Sequence, residues 1–170
     1  MRPLLIRNAL LTDPAASVDA VRDVLVVDGL VVRVEERLTP RETVLDVVDA
    51  RGLYLWPGLV DAHVHFREPG FEAKETIRTG SLAAAAGGYT SVICEPNTQP
   101  PTDSPERVHE LARRADAEAA VHVYFKAAMT AGRLGLEPSD AAALAAEPRV
   151  RALSDDGDPI PDAAVMEAAC

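Results

Sequence analysis

Apolar residues follow two rhythms along this chain, and the change between them falls near residue 52. In the first stretch, short Val/Leu-rich runs alternate with turn chemistry. Residues 4–11 (LLIRNALL) end at Thr12-Asp13-Pro14, and residues 23–36 (DVLVVDGLVVRVEE) hold Asp28-Gly29 between two apolar segments. Asp-Gly in that setting signals a β-hairpin, because both turn residues must accept positive φ. A further strand is expected at residues 43–48. Together these features predict a small N-terminal β-sheet module over residues 1–52, part of a β-sandwich, with no chemistry in it.

From residue 53 the rhythm becomes strand, loop, helix, repeated. Strands are expected at 53–64 (interrupted by Pro57-Gly58), 89–94, 120–127 and 149–153. A helix at 76–86 ends on Gly87-Gly88. The next opens at Ser104-Pro105, an N-cap followed by proline in the first helical position. Its Val108, Leu111, Ala112 and Ala115 share one face. A third helix starts near Ser139 and a fourth near Asp162. Short buried strands alternating with helices imply an α/β fold with a parallel sheet. Four such units in roughly 115 residues match the density of a (β/α)8 barrel, which takes ~250 residues. Residues 53–170 are therefore expected to be the first four β/α units, the first half of a TIM-type barrel. A fourth helix still running at Cys170 adds the expectation that the chain is an amino-terminal fragment.

Composition narrows the function classes. The 170 residues are 48% hydrophobic, 26% charged and 4% aromatic, an ordinary globular balance. A formal net charge of -10 excludes a general nucleic-acid surface and a polybasic membrane anchor. Any anionic ligand must be held by local positive charge against the overall field. No apolar stretch approaches the ~20 residues that span a bilayer, and the opening apolar run is too short for a signal peptide. Cys94 and Cys170 make no disulfide framework. A cytoplasmic location is the expectation.

The informative segment is PGLVDAHVHFREPG, residues 57–70. His63 and His65 are two apart at the end of a strand, so both imidazoles leave the same face. Carboxyl ends of parallel strands are where barrel active sites are built, and two neutral imidazoles suit zinc or a similar divalent ion. A bare His-x-His is more often a polar strand edge; the strand-end position and flanking Asp61 shift that balance. Arg67 points the same way as His65, and its planar fork suits a carboxylate, although a surface ion pair is the ordinary use of an arginine. Asn97 follows a strand end and can donate to an anionic oxygen, while Pro-Asn-Thr is also good turn chemistry. Asp155 ends the fourth strand, where an oxygen ligand could complete the site. It and Asp156 could also be a helix-capping pair before Gly157, and which of the two reaches a metal is left open by the residues themselves. Asp61 is expected to support the site through a hydrogen bond. His109 reads as solvated, His122 as lying at the opposite end of its strand, and Cys94 as core. Glu95 is left open between solvent and the rim of the site.

Residues 57–70 resemble the first metal-binding strand of the amidohydrolase superfamily. The tail Phe66-Arg67-Glu68-Pro69-Gly70 resembles the form found in dihydroorotases of the bacterial class I type. Three more segments agree in order: TGSLAAAAGGYTSV (79–92), PNTQPPTDSPE (96–106) and ALSDDGDPI (152–160). The resemblance implies zinc, one or two ions per subunit, with His63, His65 and Asp155 as ligands. It implies that His65, Arg67 and Asn97 bind substrate, the last two at its α-carboxylate. The implied reaction is the reversible conversion of N-carbamoyl-L-aspartate to L-dihydroorotate in de novo pyrimidine (UMP) biosynthesis. The proton-shuttling Asp and two further His ligands of that family belong to later strands, so no catalytic residue proper is expected within the chain. The isolated 170-residue polypeptide is expected to be inactive and poorly soluble. The partner implied is a small-molecule substrate, with aspartate transcarbamoylase and a second copy of the chain left open.

Two departures from that family's pattern stand out. Glu95 occupies a position where an apolar Met is usual, and Lys126 lies on the third strand, where the superfamily does not place its carbamylated lysine. Hydantoinases and allantoinases are a rival reading, but they carry that lysine where this chain has Asp155 and lack the Phe-Arg-Glu-Pro-Gly tail. A non-catalytic dihydroorotase-like subunit supporting aspartate transcarbamoylase is another; such subunits lose metal ligands, and His63, His65 and Asp155 are retained here.

Overall fold

Asp28 and Gly29 adopt φ of 51° and 80°, the left-handed pair a tight hairpin needs, and join β2 (Val18–Val27) to β3 (Leu30–Glu35). The computed structural model describes residues 2–39 and 46–170, which form two units, Met1–Pro57 and Gly58–Cys170. In the first, β1 (Leu4–Asp13) pairs antiparallel with β2. On its other edge β1 pairs in parallel with β4 (Asp46–Asp49) and, further along, with β5 (Tyr54–Leu55). The sheet order is β3-β2-β1-β4, with β5 beside β1. Part of the strand expected at 43–48 is β4; residues 43–45 lie outside the described ones. The strand expected at 53–64 is divided. Pro57 cannot donate to a ladder, so Tyr54–Leu55 pair with β1 while the chain after Gly58 joins a different sheet.

Leu5, Leu25 and Leu38 form the core of this unit, with Val27 against them. A register break in β1 between Ile6 and Ala9 coincides with Asn8 at φ 58°. The buried carboxylate of Asp23 accepts from the backbone N–H of Asn8 and of Leu38, each at 2.9 Å. Burial pushes this carboxyl upward, but those two amides, with the nearby Arg7 and Arg37 charges, outweigh it and hold Asp23 below its ordinary value.

The second unit is a parallel sheet in sequential order: β6 (Leu59–Val64), β7 (Tyr89–Cys94), β8 (His122–Ala127) and β9 (Val150–Leu153). Its connections carry α1 (Ile77–Ala86), α2 (Pro105–Glu118), a 3-10 turn at Ala131–Arg133 and α3 (Ala141–Ala145); α4 (Ala163–Ala169) follows β9. Alternate residues of β7 and β8 (Val92 and Cys94; Val123, Phe125 and Ala127) are buried in one cluster with Val108, Leu111 and Ala115 of α2. Ala112, on the same face, is half-buried. Burial, with the adjacent Glu95 charge, pushes the Cys94 thiol far up, which makes it a packing residue.

Helix α1 starts at a reciprocal cap. The Thr76 hydroxyl accepts from the Thr79 N–H at 3.1 Å, and the Thr79 hydroxyl accepts from the Thr76 N–H at 3.2 Å. Glu68 adds to this terminus, accepting from Ile77 N–H at 3.0 Å while Arg114 holds its other oxygen at 3.0 Å. Between them Phe66 packs against Gly80, where a Cβ would fall 2.4 Å from the ring. Burying that ring stabilises the unit by ~2 kcal/mol. The segment following β6 is thereby pinned to α1 and α2. Among the described residues no helix is long and apolar enough to cross a membrane.

Candidate metal centre

Every residue of the site stands at the carboxyl end of a strand in the parallel sheet. His63 and His65 come from the end of β6, Glu95 and Asn97 follow β7, Lys126 lies near the end of β8, and Asp155 and Asp156 follow β9. The backbone N–H of Glu95 bonds the carbonyl of Val64 at 2.9 Å, which sets residues 95 and 97 beside residues 63 and 65. The consequence is a matched pair of contacts. Nδ1 of His63 lies 3.0 Å from Oε1 of Glu95, and Nδ1 of His65 lies 3.1 Å from Oδ1 of Asn97. Both partners accept, so both Nδ1 atoms carry the proton and both Nε2 atoms present a lone pair. Those two Nε2 atoms converge to 3.2 Å.

Asp156 completes the group. Its Oδ1 is 3.6 Å from Nε2 of His63, and one ligand atom from each of His63, His65 and Asp156 lies within 4.8 Å of the others. In a flat sheet β6 and β9 would be three strand spacings apart, ~14 Å, farther than a His and an Asp side chain can bridge. The sheet is therefore curled, so that the end of β6 and the turn after β9 meet over the strand ends. Two imidazoles bound tetrahedrally at 2.0–2.1 Å place their nitrogens about 3.3 Å apart, close to the observed 3.2 Å. The N, N, O donor set suits zinc or a similar borderline ion. The His63 side chain is 59% exposed, which leaves access for a further ligand. The residues present thus fit a divalent metal.

The structure separates the two adjacent carboxylates differently from the family resemblance, which put Asp155 with the histidines. Asp155 is buried, 5% exposed, and turned away from them. It accepts from Met129 N–H at 2.8 Å, from Thr130 N–H at 3.2 Å and from the Thr130 hydroxyl. Asp156, at φ 45°, is the carboxylate turned to the histidines. An Asp before a Gly tolerates this left-handed conformation, and that dipeptide was the one sequence signal for it. The Asn97 amide N–H donates to Asp156, so both ends of that amide are engaged within the cluster.

Arg67 is half-buried and sits at φ 61°, the kind of backbone outlier found at functional positions. Among the described residues no carboxylate pairs with its guanidinium, whereas its neighbour Glu68 is taken by Arg114. Asp61 accepts from the backbone N–H of His63 at 3.0 Å, a supporting contact of the kind expected. Glu95, left open by the sequence, faces inward and is bonded to Lys126 as well as His63. His109 pairs on the surface with Glu147 at 2.8 Å, and His122 is exposed at the start of β8.

A curled parallel α/β sheet with two histidines and a carboxylate converging at its strand ends defines a class of candidate metal proteins. Residues 52–170 match the dihydro-orotase-like family, and the chain belongs to it. It is 45% identical over 167 residues to a dihydroorotase of Solibacter usitatus, and 41% identical over 166 residues to one of Ruminiclostridium cellulolyticum. Each alignment covers 98% of this chain and 38% of the relative, so the chain spans well under half the length of these proteins. Among solved structures it resembles the L-hydantoinase (dihydropyrimidinase) from Arthrobacter aurescens, with a TM-score of 0.69 and 27% identity. That likeness covers 78% of this chain and 29% of the hydantoinase.

Proposed function

We propose that this chain is the amino-terminal part of a dihydroorotase, a zinc-dependent cyclic amidohydrolase that interconverts N-carbamoyl-L-aspartate and L-dihydroorotate for pyrimidine synthesis. The curled sheet is the first half of a (β/α)8 barrel, and residues 1–52 contribute to a β-sandwich. The observation that carries this reading is the convergence of His63, His65 and Asp156 at the strand ends in a chain of this family. His63 and His65 hold the metal through Nε2, and Asp156 takes the carboxylate position that the family resemblance gave to Asp155. A zinc ion held there would supply an acidified water, of pKa about 7, and polarisation of the ring carbonyl.

The chain's own residues bind and orient the substrate. Arg67, with no carboxylate partner among the described residues, donates to the α-carboxylate of the substrate in a bidentate grip. It is the local positive charge that a chain of net charge -10 requires. Asn97 holds His65 through its carbonyl and Asp156 through one N–H of its amide, which leaves the second N–H to donate to the substrate. Asp61 fixes the backbone at His63. The proton shuttle to the ring nitrogen is left to strands outside this chain.

Likeness to hydantoinases keeps a second substrate class in view, and the carboxylate of the substrate distinguishes the two. In the full-length protein, Arg67→Ala is expected to raise KM for dihydroorotate about 10–100-fold, the loss of one charge-assisted pair, with a smaller change in kcat. Unsubstituted hydantoin, which lacks the carboxylate, is expected to turn over more slowly than dihydroorotate and to be indifferent to the substitution. Preferred hydrolysis of hydantoin, or an Arg67→Ala enzyme with unaltered KM, overturns the assignment.

A further inference from the structure

Of the groups that the proposed reaction leaves unused, Glu95 is the most constrained. Its side chain is wholly buried, 0% exposed, although a buried carboxylate is costly unless compensated. Oε1 is shared by the Lys126 ammonium and by Nδ1 of His63 at 3.0 Å. Oε2 has no protein partner among the described residues. An ion pair that served packing alone would have no reason to take in His63, whose own side chain is largely open to solvent. The two imidazoles are also backed unequally, His63 by a carboxylate and His65 by the neutral amide oxygen of Asn97.

We propose that Glu95, neutralised from behind by Lys126, is a positioning residue that tunes His63 as a metal ligand. The carboxylate holds the proton on Nδ1 and the ring in the orientation that aims Nε2 at Nε2 of His65. Its charge also makes Nε2 of His63 the stronger of the two nitrogen donors. Lys126 keeps the carboxylate from swinging into the site and offsets the burial of its charge. This rests on the reading of His63, His65 and Asp156 as metal ligands.

The test uses the full-length protein stripped of metal and titrated with Co(II) against a chromogenic chelator. Wild type is compared with Glu95→Gln and with the double variant Glu95→Met/Lys126→Met, which removes the buried pair without stranding either charge. The double variant is expected to bind Co(II) about 10–100-fold more weakly and to shift the visible Co(II) band, with the melting temperature of the metal-free protein unchanged or raised. Glu95→Gln keeps an acceptor but loses the charge, so its affinity falls in between; it carries the test alone should the double variant not fold. Wild-type affinity and an unaltered Co(II) spectrum in the variants show the pair to be packing only and overturn the inference. Failure of the wild-type protein to bind Co(II) instead removes the metal-centre reading and this inference with it.

Discussion

Two neighbouring carboxylates at the end of β9 face different partners, and substituting each in turn separates what they do. Asp155 ties β9 to residues 129–130 through three hydrogen bonds. Removing a buried charged acceptor strands the amides it satisfied, at a cost of about 2–4 kcal/mol. Asp155→Ala in the full-length protein is therefore expected to lower the melting temperature of the metal-free form markedly. Asp156→Asn, which keeps the tolerance for the left-handed conformation at φ 45°, is expected to leave that temperature nearly unchanged. It should instead weaken metal binding by more than the ~10–100-fold typical of a group that only supports a ligand. Thermal melts of the metal-free proteins and a chelator competition read the two effects separately, and the reverse pattern would restore Asp155 to the metal. The distinction was not legible in Ser-Asp-Asp-Gly. It depends on amides 25–26 positions away and on which aspartate enters the left-handed region. Glu95 was hidden for the same reason, since Lys126 lies 31 positions further along. His63 and His65 were legible because a spacing of two on a strand fixes a common face without help from anything distant.

Local order in the strands and helices was readable wherever neighbouring residues decide it. Strand β7 keeps the bounds expected of a β-branched run between Gly87-Gly88 and Pro96, and α2 opens at its expected proline. What escaped were pairings chosen by remote partners, such as β5 joining β1 rather than continuing into β6. The irregularity in β1 is another. Nothing around Asn8 announces a register break, because the group that stabilises it is Asp23 on the adjacent strand, reaching also to Leu38. That carboxylate sits below its ordinary pKa in the folded chain. The extra stability of its ionised form is therefore present above the unfolded-state value and is lost as pH falls through the lower folded-state value. Asp23→Asn keeps the shape without the charge. At pH 7 it should melt below wild type, and the gap should narrow as pH drops below about 4. A gap that stays constant down to pH 2 shows that the charge contributes nothing there.

Curling of the parallel sheet turns a local site into a link across the fold. The proposed ligands come from β6 and from the turn after β9, which have two other strands between them. A bound ion therefore joins segments that the hydrogen-bond ladder connects only indirectly. An ion that binds the folded protein alone stabilises it by mass action, ~2.7 kcal/mol at a hundredfold excess over Kd. The expected result is a higher melting temperature with zinc than with a chelator, at equal ionic strength. Amide hydrogen exchange tells where that stabilisation acts, because protection follows local opening. On chelation, residues 59–65 and 150–157 should lose protection together, although they sit on opposite edges of the sheet. Strands β2 and β3 carry none of the candidate ligands and should be unaffected. Loss confined to one edge means that the ion does not join the two strands; loss spread evenly over the molecule means that metal acts on the whole fold rather than at the curled edge.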